Sequence, residues 1–509
     1  MIPKNKYGEK RLAKNTMPHV ALISFLTNSI NTRSLSSYLR ANGHEVTCYF
    51  CQGAFNERNL QEIIKGLKEK KMSLVGISLV TDDYYSAVVV TSAIKKELGV
   101  PVIWGGAHVN VKPDECLQHA DMICLGEGEE ALLDLVKNYA EGKFDLSTKN
   151  IWFKTENGIV RNELRSLEEN LDKYPFPDFD LTTQFVMNEK GFENLADKHL
   201  LGEYSIITSR GCPYSCHYCY NSYRRKQFEG KGKYLRKRSI ENVVEELSHS
   251  KRTFKGLKRV NFWDDSFAAR SIEEFNEFRS LYTKNVALPF FALIEPMAFD
   301  FKKIEILKES GLTKLQIGIQ SGSERVNKNI YNRHVSNRKV IDIAHFIKKL
   351  EIDATYDIIF NNPYETPYDV AETAKLFLQF PKPLSLQGYN LIFYPQTTIT
   401  DRALSDNYIS MKISGEDFST IQGAANSPAA TLGRSEVSNR FYEIKYRSHE
   451  KTYFNSVISL ISSKYIPKWF MGYFARSESP FKRTLLKAFI KMYIFAVALK
   501  HGVITPRVS

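Results

Sequence analysis

Short apolar runs alternate with stretches of helical periodicity from residue 19 to residue 140. Val20-Ala21-Leu22-Ile23-Ser24-Phe25 predicts a first strand and residues 45–50 a second. Leu74-Val75-Gly76-Ile77-Ser78-Leu79, Pro101-Val102-Ile103-Trp104 and Met122-Ile123-Cys124-Leu125 follow, the last closing the sheet. Helices are expected between them over 35–41, 60–68 and 84–98, and a further one over 129–139. Unbroken apolar strands separated by helices predict βαβ units and a parallel sheet, here an α/β Rossmann-like domain over residues 19–142. Open sheets of this kind bind ligands beyond the carboxyl ends of their strands. Those ends carry Ser78-Leu79-Val80-Thr81, Gly105-Gly106-Ala107-His108 and Gly126-Glu127-Gly128-Glu129, where glycine admits close approach of backbone to a ligand.

Residues 143–202 lack this alternation and read as a linker. It holds a small hairpin turning at Asn157-Gly158 and a stiffened crossing at Pro175-Phe176-Pro177-Asp178. A second strand-and-helix series occupies residues 203–400, with strands expected over 204–208, 259–263, 290–293, 314–319, 354–359 and 388–393. Its helices are expected over 240–248, 272–282, 301–310, 324–329, 339–350 and 367–379. These units predict a partial (β/α)6 barrel, whose chemistry would sit at the strand C-termini. Residues 401–509 read as a mainly helical region with a Gly/Ala/Ser-rich stretch at 414–431. Near its end Arg483, Lys487 and Lys491 form one helical stripe, and the uncharged apolar run 492–499 is far short of the ~20 residues that span a bilayer. A helix packed on the barrel is expected there. A basic amphipathic helix on anionic lipid, aided by Ile466-Pro467-Lys468-Trp469-Phe470-Met471, is the alternative.

Composition narrows the class. Hydrophobic residues at 43% and charged residues at 25% belong to a folded soluble protein. Seven cysteines do not make a secreted disulfide framework, so a reducing cytoplasmic setting is expected. Residues 1–18 are basic with no apolar core of a signal peptide behind them, and read as a solvated tail. The net charge of +13 is partly gathered in residues 223–238, beside the candidate chemistry, and points to an acidic surface or ligand rather than to nucleic acid.

That chemistry is the stretch Ser209-Arg210-Gly211-Cys212-Pro213-Tyr214-Ser215-Cys216-His217-Tyr218-Cys219-Tyr220. Thiolates from Cys212, Cys216 and Cys219 can hold three irons of a 4Fe–4S cluster and leave the fourth open for an exogenous ligand. A zinc knuckle would need His217 as fourth ligand, yet His217 lies between two of the cysteines, whereas structural zinc sites pair two separated couples. A disulfide would strand an odd cysteine. Cys48, Cys51, Cys116 and Cys124 read as small buried hydrophobes.

With Tyr218 before its last cysteine, this loop resembles the signature of the radical S-adenosylmethionine (SAM) superfamily. The glycine-bearing turns ahead of it resemble the cobalamin-binding domain of cobalamin-dependent radical SAM enzymes, so that the likeness runs over residues 19–400. The resemblance implies a 4Fe–4S cluster, SAM and cobalamin as cofactors. Ser78, Thr81, Gly105, Gly106, His108, Gly126, Glu127 and Gly128 would surround the cobalamin, and Tyr218, Asp264, Asp265, Gln320 and Ser323 would lie at the SAM site. Gln320 stands in Gly318-Ile319-Gln320-Ser321-Gly322-Ser323 where glutamate is usual, and Asn361-Asn362-Pro363-Tyr364-Glu365-Thr366 replaces both glycines of the family's Gly-x-Pro-Gly-Glu-Thr turn. Arg325 and Arg333 are further candidates for holding an anion. The loop after the first strand, Leu26-Thr27-Asn28-Ser29-Ile30-Asn31, has no histidine, which implies a cobalt without a histidine below it.

By family, the implied activity is methylation. One SAM methylates the cobalamin, a second yields the 5′-deoxyadenosyl radical, and methyl passes to an unactivated carbon of a small-molecule or lipid-like substrate. An electron donor such as flavodoxin or ferredoxin is the implied partner, and contact with the inner face of the membrane through the C-terminal helix is the peripheral alternative. No side chain is assigned as catalytic. Three alternatives stand beside this reading: a cyclisation or rearrangement on the same fold, tRNA methylthiolation, and a non-enzymatic corrinoid-binding protein. Methylthiolation would need a second cysteine trio in the N-terminal domain.

Overall fold

Two predominantly parallel sheets organise the chain in a computed structural model that describes residues 18–51, 57–141, 144–188, 190–411 and 442–445. The first contains β1 (His19–Ser24), β2 (Glu45–Phe50), β3 (Leu74–Ser78), β4 (Val102–Gly105) and β5 (Met122–Cys124). It continues with β6 (Ile151–Thr155), β7 (Gly158–Val160), β8 (Gln184–Asn188) and β9 (Gly191–Asn194), in the order β7-β6-β5-β4-β3-β1-β2-β8-β9. Period two sorts each central strand between two apolar layers. In β1, Ala21 and Ile23 enter one buried cluster, and Val20 and Leu22 the other. The covering helices are α1 (Ile30–Ala41), α2 (Glu57–Glu69), α3 (Tyr84–Glu97), α4 (Ala107–Val111), α5 (Pro113–His119) and α6 (Glu129–Ala140).

The linker expectation is corrected here. Residues 143–202 supply β6 to β9, and β5 therefore does not close the sheet: β6 pairs antiparallel to it, Ile123 opposite Trp152. On the other flank β8 pairs parallel to β2, Cys48 opposite Gln184. Each added strand satisfies backbone donors and acceptors that an open sheet edge would leave bare.

Helix α1 begins five residues before its expected start because the Ser29 side chain accepts from Thr32 N and caps it. Its polar face then grips the proline-bearing crossing: Ser36 donates to Asp178 (2.7 Å), Ser37 to Phe176 O (2.6 Å) and Arg40 to Asp180 (2.5 Å). Arg33, 1% exposed, lies between the Phe50 and Phe179 rings and donates to Thr27 O (2.7 Å) and Gln184 (3.2 Å). Burial lowers its pKa to about 10, still a cation near neutrality.

The second sheet is β10 (Glu203–Ile206), β13 (Arg259–Phe262), β14 (Phe290–Ile294), β15 (Leu312–Gln320), β16 (Asp353–Phe360) and β17 (Ser385–Asn390), parallel and in chain order. β10 and β17 are not paired with each other, so the barrel is partial. A short antiparallel ladder, β11 (Ser209–Arg210) with β12 (Arg236–Lys237), stands above β10. The helices are α7 (Tyr220–Gln227), α8 (Ile240–Thr253), α9 (Ile272–Asn285), α10 (Phe301–Ser310), α11 (Asn337–Lys349), α12 (Pro367–Leu378) and α13 (Thr398–Ser405). Every second strand residue packs under the helices in one large cluster, among them Tyr204, Phe262, Ala292, Ile317 and Ile358. The helix expected over 324–329 forms over 324–330, its Val326–Ile330 portion as a π-turn, a form frequent at functional sites. Beyond the barrel, β18 (Ile409–Met411) and β19 (Tyr442–Ile444) pair antiparallel. Residues 414–431 and the expected C-terminal helix with its cationic stripe lie outside the described residues. Among the described residues no helix is long and apolar enough to cross a membrane.

Candidate active site

The cysteine loop follows directly on β11 and is held from four sides. Beneath it, Thr208 N and Oγ1 (2.9 Å each) and Ser209 Oγ (2.5 Å) all donate to Asp264 Oδ1, and Arg270 donates to Thr208 O (3.1 Å). Gly211, at φ +90°, lets the chain turn under Tyr234: a Cβ there would lie 2.4 Å from Tyr234 O. Arg225 of α7 donates to Cys212 O. The segment after the π-turn closes the far side, with His217 N donating to Tyr331 O (3.0 Å) and Asn332 to Ser215 O (3.0 Å). Ile399 N donates to His217 O (3.1 Å), which ties in α13.

Cys212, Cys216 and Cys219 are free thiols, Cys216 the most buried. Burial pushes Cys212 up to about 12 and Cys219 up to about 11, so that ionising them calls for a strong positive charge such as iron. Arg333 lies against the loop, nearly fully buried: it meets Cys216 Sγ (3.9 Å), donates to Tyr218 Oη (3.1 Å) and to Gly318 O (2.6 Å), and among the described residues its Nε has no partner. Among the described residues no three His, Cys, Asp or Glu side chains gather as around a single metal ion. His217 turns Nδ1 to Ile330 O (3.0 Å). Three thiols spaced along one loop fit a polynuclear cluster, which spreads its ligands over several irons.

Between the two sheets lies a cavity of about 410 Å³. One wall is made of the carboxyl ends of β3, β4 and β5, with Ser78, Gly105, Gly106, Gly126, Glu127 and Gly128. The opposite wall comes from the barrel side, with Arg210, Gly211, Tyr220, Arg224, Tyr234 and Asp265. Three ion pairs among buried and half-buried side chains join the walls. Arg210 Nη2 meets Glu129 Oε1 at 2.6 Å and its Nη1 meets Glu127 at 3.1 Å, while Arg236 meets Glu127 at 2.5 Å. Burial opposes ionisation of Glu127, but Arg210 and Arg236 outweigh it and hold the carboxyl at about 2. Asn110 of α4 is a second hub: it accepts from Gly126 N (2.8 Å) and donates to Gly106 O (2.9 Å), and its backbone oxygen accepts from Tyr223 Oη (3.0 Å).

The residues expected from sequence divide accordingly. Ser78, the four turn glycines, Glu127 and Asp265 line the cavity. Thr81 and His108 do not; they bond each other (3.2 Å), with the His108 ring against Tyr84, because the short helix α4 turns this side chain back into the sheet's helical layer. Asp264 is also absent from the wall: it is buried beneath Thr208 and Ser209, where burial raises its pKa. Tyr218 packs edge-on to Tyr331 (5.0 Å) rather than into the cavity. Gln320, at φ +68°, ends β15 beside a shift of register. Ser323 donates to Asp369 (2.6 Å) and accepts from Val326 N (3.3 Å), and Arg325 pairs with the same aspartate (2.6 Å). Ser321 donates to Glu365 (2.9 Å), so the two motifs around residues 320 and 365 brace each other. Sequence reasoning missed Arg210, Arg236, Glu129 and Asn110. Arg210 stood inside the cysteine stretch, Arg236 in the basic segment 223–238 and Glu129 in the turn after β5, while Asn110 carried no signal.

Comparison with known proteins adds two domains. Residues 206–377 match the family model of the Radical SAM superfamily, and residues 19–136 match that of the B12 binding domain. An uncharacterized methyltransferase of Pyrococcus horikoshii is 28% identical over 417 residues, 80% of this chain and 83% of that protein. The cytidylyl-2-hydroxyethylphosphonate methyltransferase of Streptomyces wedmorensis is 23% identical over 365 residues, 62% of this chain and 65% of that protein. Among solved structures, the radical S-adenosylmethionine methyltransferase TsrM of Kitasatospora setae, with tryptophan and a SAM analogue bound, shares the fold. Its TM-score is 0.67 at 15% identity, over 92% of this chain and 95% of that one.

Proposed function

This chain belongs to the cobalamin-dependent radical SAM enzymes, in their methyltransferase branch, and from that premise we propose that it methylates an unactivated carbon of a small-molecule or lipid-like substrate. The observation that carries the reading is one cavity walled jointly by the turns of the B12-binding region and by the residues flanking the cysteine loop. When bound, cobalamin, a 4Fe–4S cluster and SAM would supply the methyl carrier and the radical source. The chain's own share is holding and orienting. Cys212, Cys216 and Cys219 would hold the cluster, and Arg333 places a cation against Cys216 and Tyr218. Asp265 offers a carboxylate toward the cavity, suited to the ammonium and sulfonium of SAM. The Glu127, Glu129, Arg210 and Arg236 pairs keep the two walls in register. Reduction would come from a flavodoxin or ferredoxin.

Anaerobic reconstitution tests the first half: wild type should load one 4Fe–4S cluster and the Cys212→Ala, Cys216→Ala, Cys219→Ala triple variant none, as iron and sulfide per chain. Wild type without iron or sulfide ends the reading. Product carrying label from methyl-labelled SAM supports methylation, and unlabelled product rejects it. Gly105 faces the cavity with no heavy atom nearer than 4.0 Å to an added Cβ. Gly105→Phe should therefore fold yet fill the space, and lose most of the roughly one equivalent of hydroxocobalamin that wild type keeps through desalting.

A further inference from the structure

Among the described residues one arginine of the cavity lining, Arg224, forms no ion pair, although its charge helps to keep Glu127 ionised. Helix α7 turns Tyr220, Tyr223, Arg224 and Gln227 to one face, at spacings of three and four. That face docks on the B12-binding region: Tyr223 donates to Asn110 O (3.0 Å), Gln227 to Asn110 Oδ1 (3.2 Å), and Phe228 abuts Gly126. Arg224 sits in the middle of the face and lines the cavity. The other arginines of the lining have carboxylates: Arg210 has Glu127 and Glu129, Arg236 has Glu127, and Arg238 has Glu246 at 2.5 Å. Among the described residues Arg224 has no carboxylate within ion-pair distance. Its Nε is buried without a hydrogen-bond partner, and its guanidinium lies beside the Phe228 ring (5.0 Å) and the Tyr220 ring (6.0 Å). A ligand that fills the cavity strips the remaining water from this cation, which is costly unless the ligand brings an anion.

We propose that Arg224 is an anion-recognising residue of the cavity and receives a monoanionic oxyanion of the bound ligand. The inference rests on the cofactors assigned above, which offer two sources of that chemistry: the phosphodiester of cobalamin and the carboxylate of SAM. The fork of the guanidinium matches either, and the flanking rings hold its plane.

The test uses cluster-loaded wild type, Arg224→Lys and Arg224→Met, titrated anaerobically with hydroxocobalamin, cobinamide and S-adenosylhomocysteine. Cobinamide has the corrin without the phosphodiester. The Met variant should bind at least one of the two anionic ligands about tenfold to a hundredfold more weakly, with cobinamide unchanged and Lys recovering part of the loss. Loss for cobalamin identifies the phosphodiester, and loss for S-adenosylhomocysteine the carboxylate. Unchanged affinity for all three ligands, or one uniform loss across them, overturns the proposal, the second because it marks Arg224 as merely structural. Wild type that binds none of the three overturns the functional reading itself.

Discussion

Glutamine in place of Glu127 is expected to destabilise the protein by about 3 kcal/mol, seen as a lower first transition in calorimetry. Glu127 serves two cations at once, Arg236 at 2.5 Å and Arg210 at 3.1 Å. Without its charge Arg210 still has Glu129, but the Arg236 side chain, 2% exposed, keeps only neutral acceptors, the introduced amide oxygen and the carbonyls of Tyr234 and Glu168. Breaking one side of a buried pair costs about 3–5 kcal/mol because the remaining charge is uncompensated, and the surviving carbonyls put this case at the low end. The pH dependence carries its own sign. The carboxyl is held at about 2 in the folded chain against about 4.5 ordinarily. Its contribution is therefore complete above pH ~5 and lost as pH falls toward 2. The stability gap between wild type and Glu127→Gln should be flat from neutrality down to pH ~5 and shrink below it. A gap that stays constant down to pH 3 would assign the loss to shape rather than charge.

Gly211→Ala should prevent the cysteine loop from forming. The added Cβ would lie 2.4 Å from Tyr234 O and 3.0 Å from its carbonyl carbon, at φ +90°. Relief requires either that β12 move, which takes Arg236 with it, or that φ rotate, which turns Cys212 away from Cys216 and Cys219. The expected result is about 3 kcal/mol of lost stability and little iron taken up on reconstitution. Gly230→Ala is the matched control: φ is +71° but nothing lies within 4 Å of the new Cβ. It should cost about 1–2 kcal/mol for the left-handed backbone and load iron normally. Equal iron content in the two variants would show that the contact with Tyr234 does not shape the loop.

The parallel strands were legible because burial on both faces writes them as unbroken apolar runs, as in Val20 to Phe25. β8 and β9 were not. They stand at a sheet flank as Gln184–Asn188 and Gly191–Asn194, with too few apolar positions to show a period. The cysteine loop was legible as spacing, but its supports were not, since nothing in sequence joins Asp264 to Thr208 or Arg333 to Cys216. One distinction was available and unused. Period two along β13 sets Val260 and Phe262 under the helices, and carrying that parity onward puts Asp264 on the buried side and Asp265 on the side of Asn261 and Trp263. His108 misled because a strand-end turn and the first turn of α4 have the same sequence appearance, while only the helix rotates that side chain inward.

The nine-stranded sheet also bears on how such proteins are assembled in evolution. Similarity to the B12 binding domain stops at residue 136, yet β6 and β7 complete one flank and β8 and β9 the other. The structural unit is therefore larger than the stretch matched to the B12 binding domain. A gene fusion or domain exchange joined at residue 136 would bring in the ligand-binding turns but leave β2 and β5 as raw borders, open to pairing with a neighbouring chain. A junction after β9 carries both flanks with it, and places the seam in the short segment before β10, where the barrel begins anew.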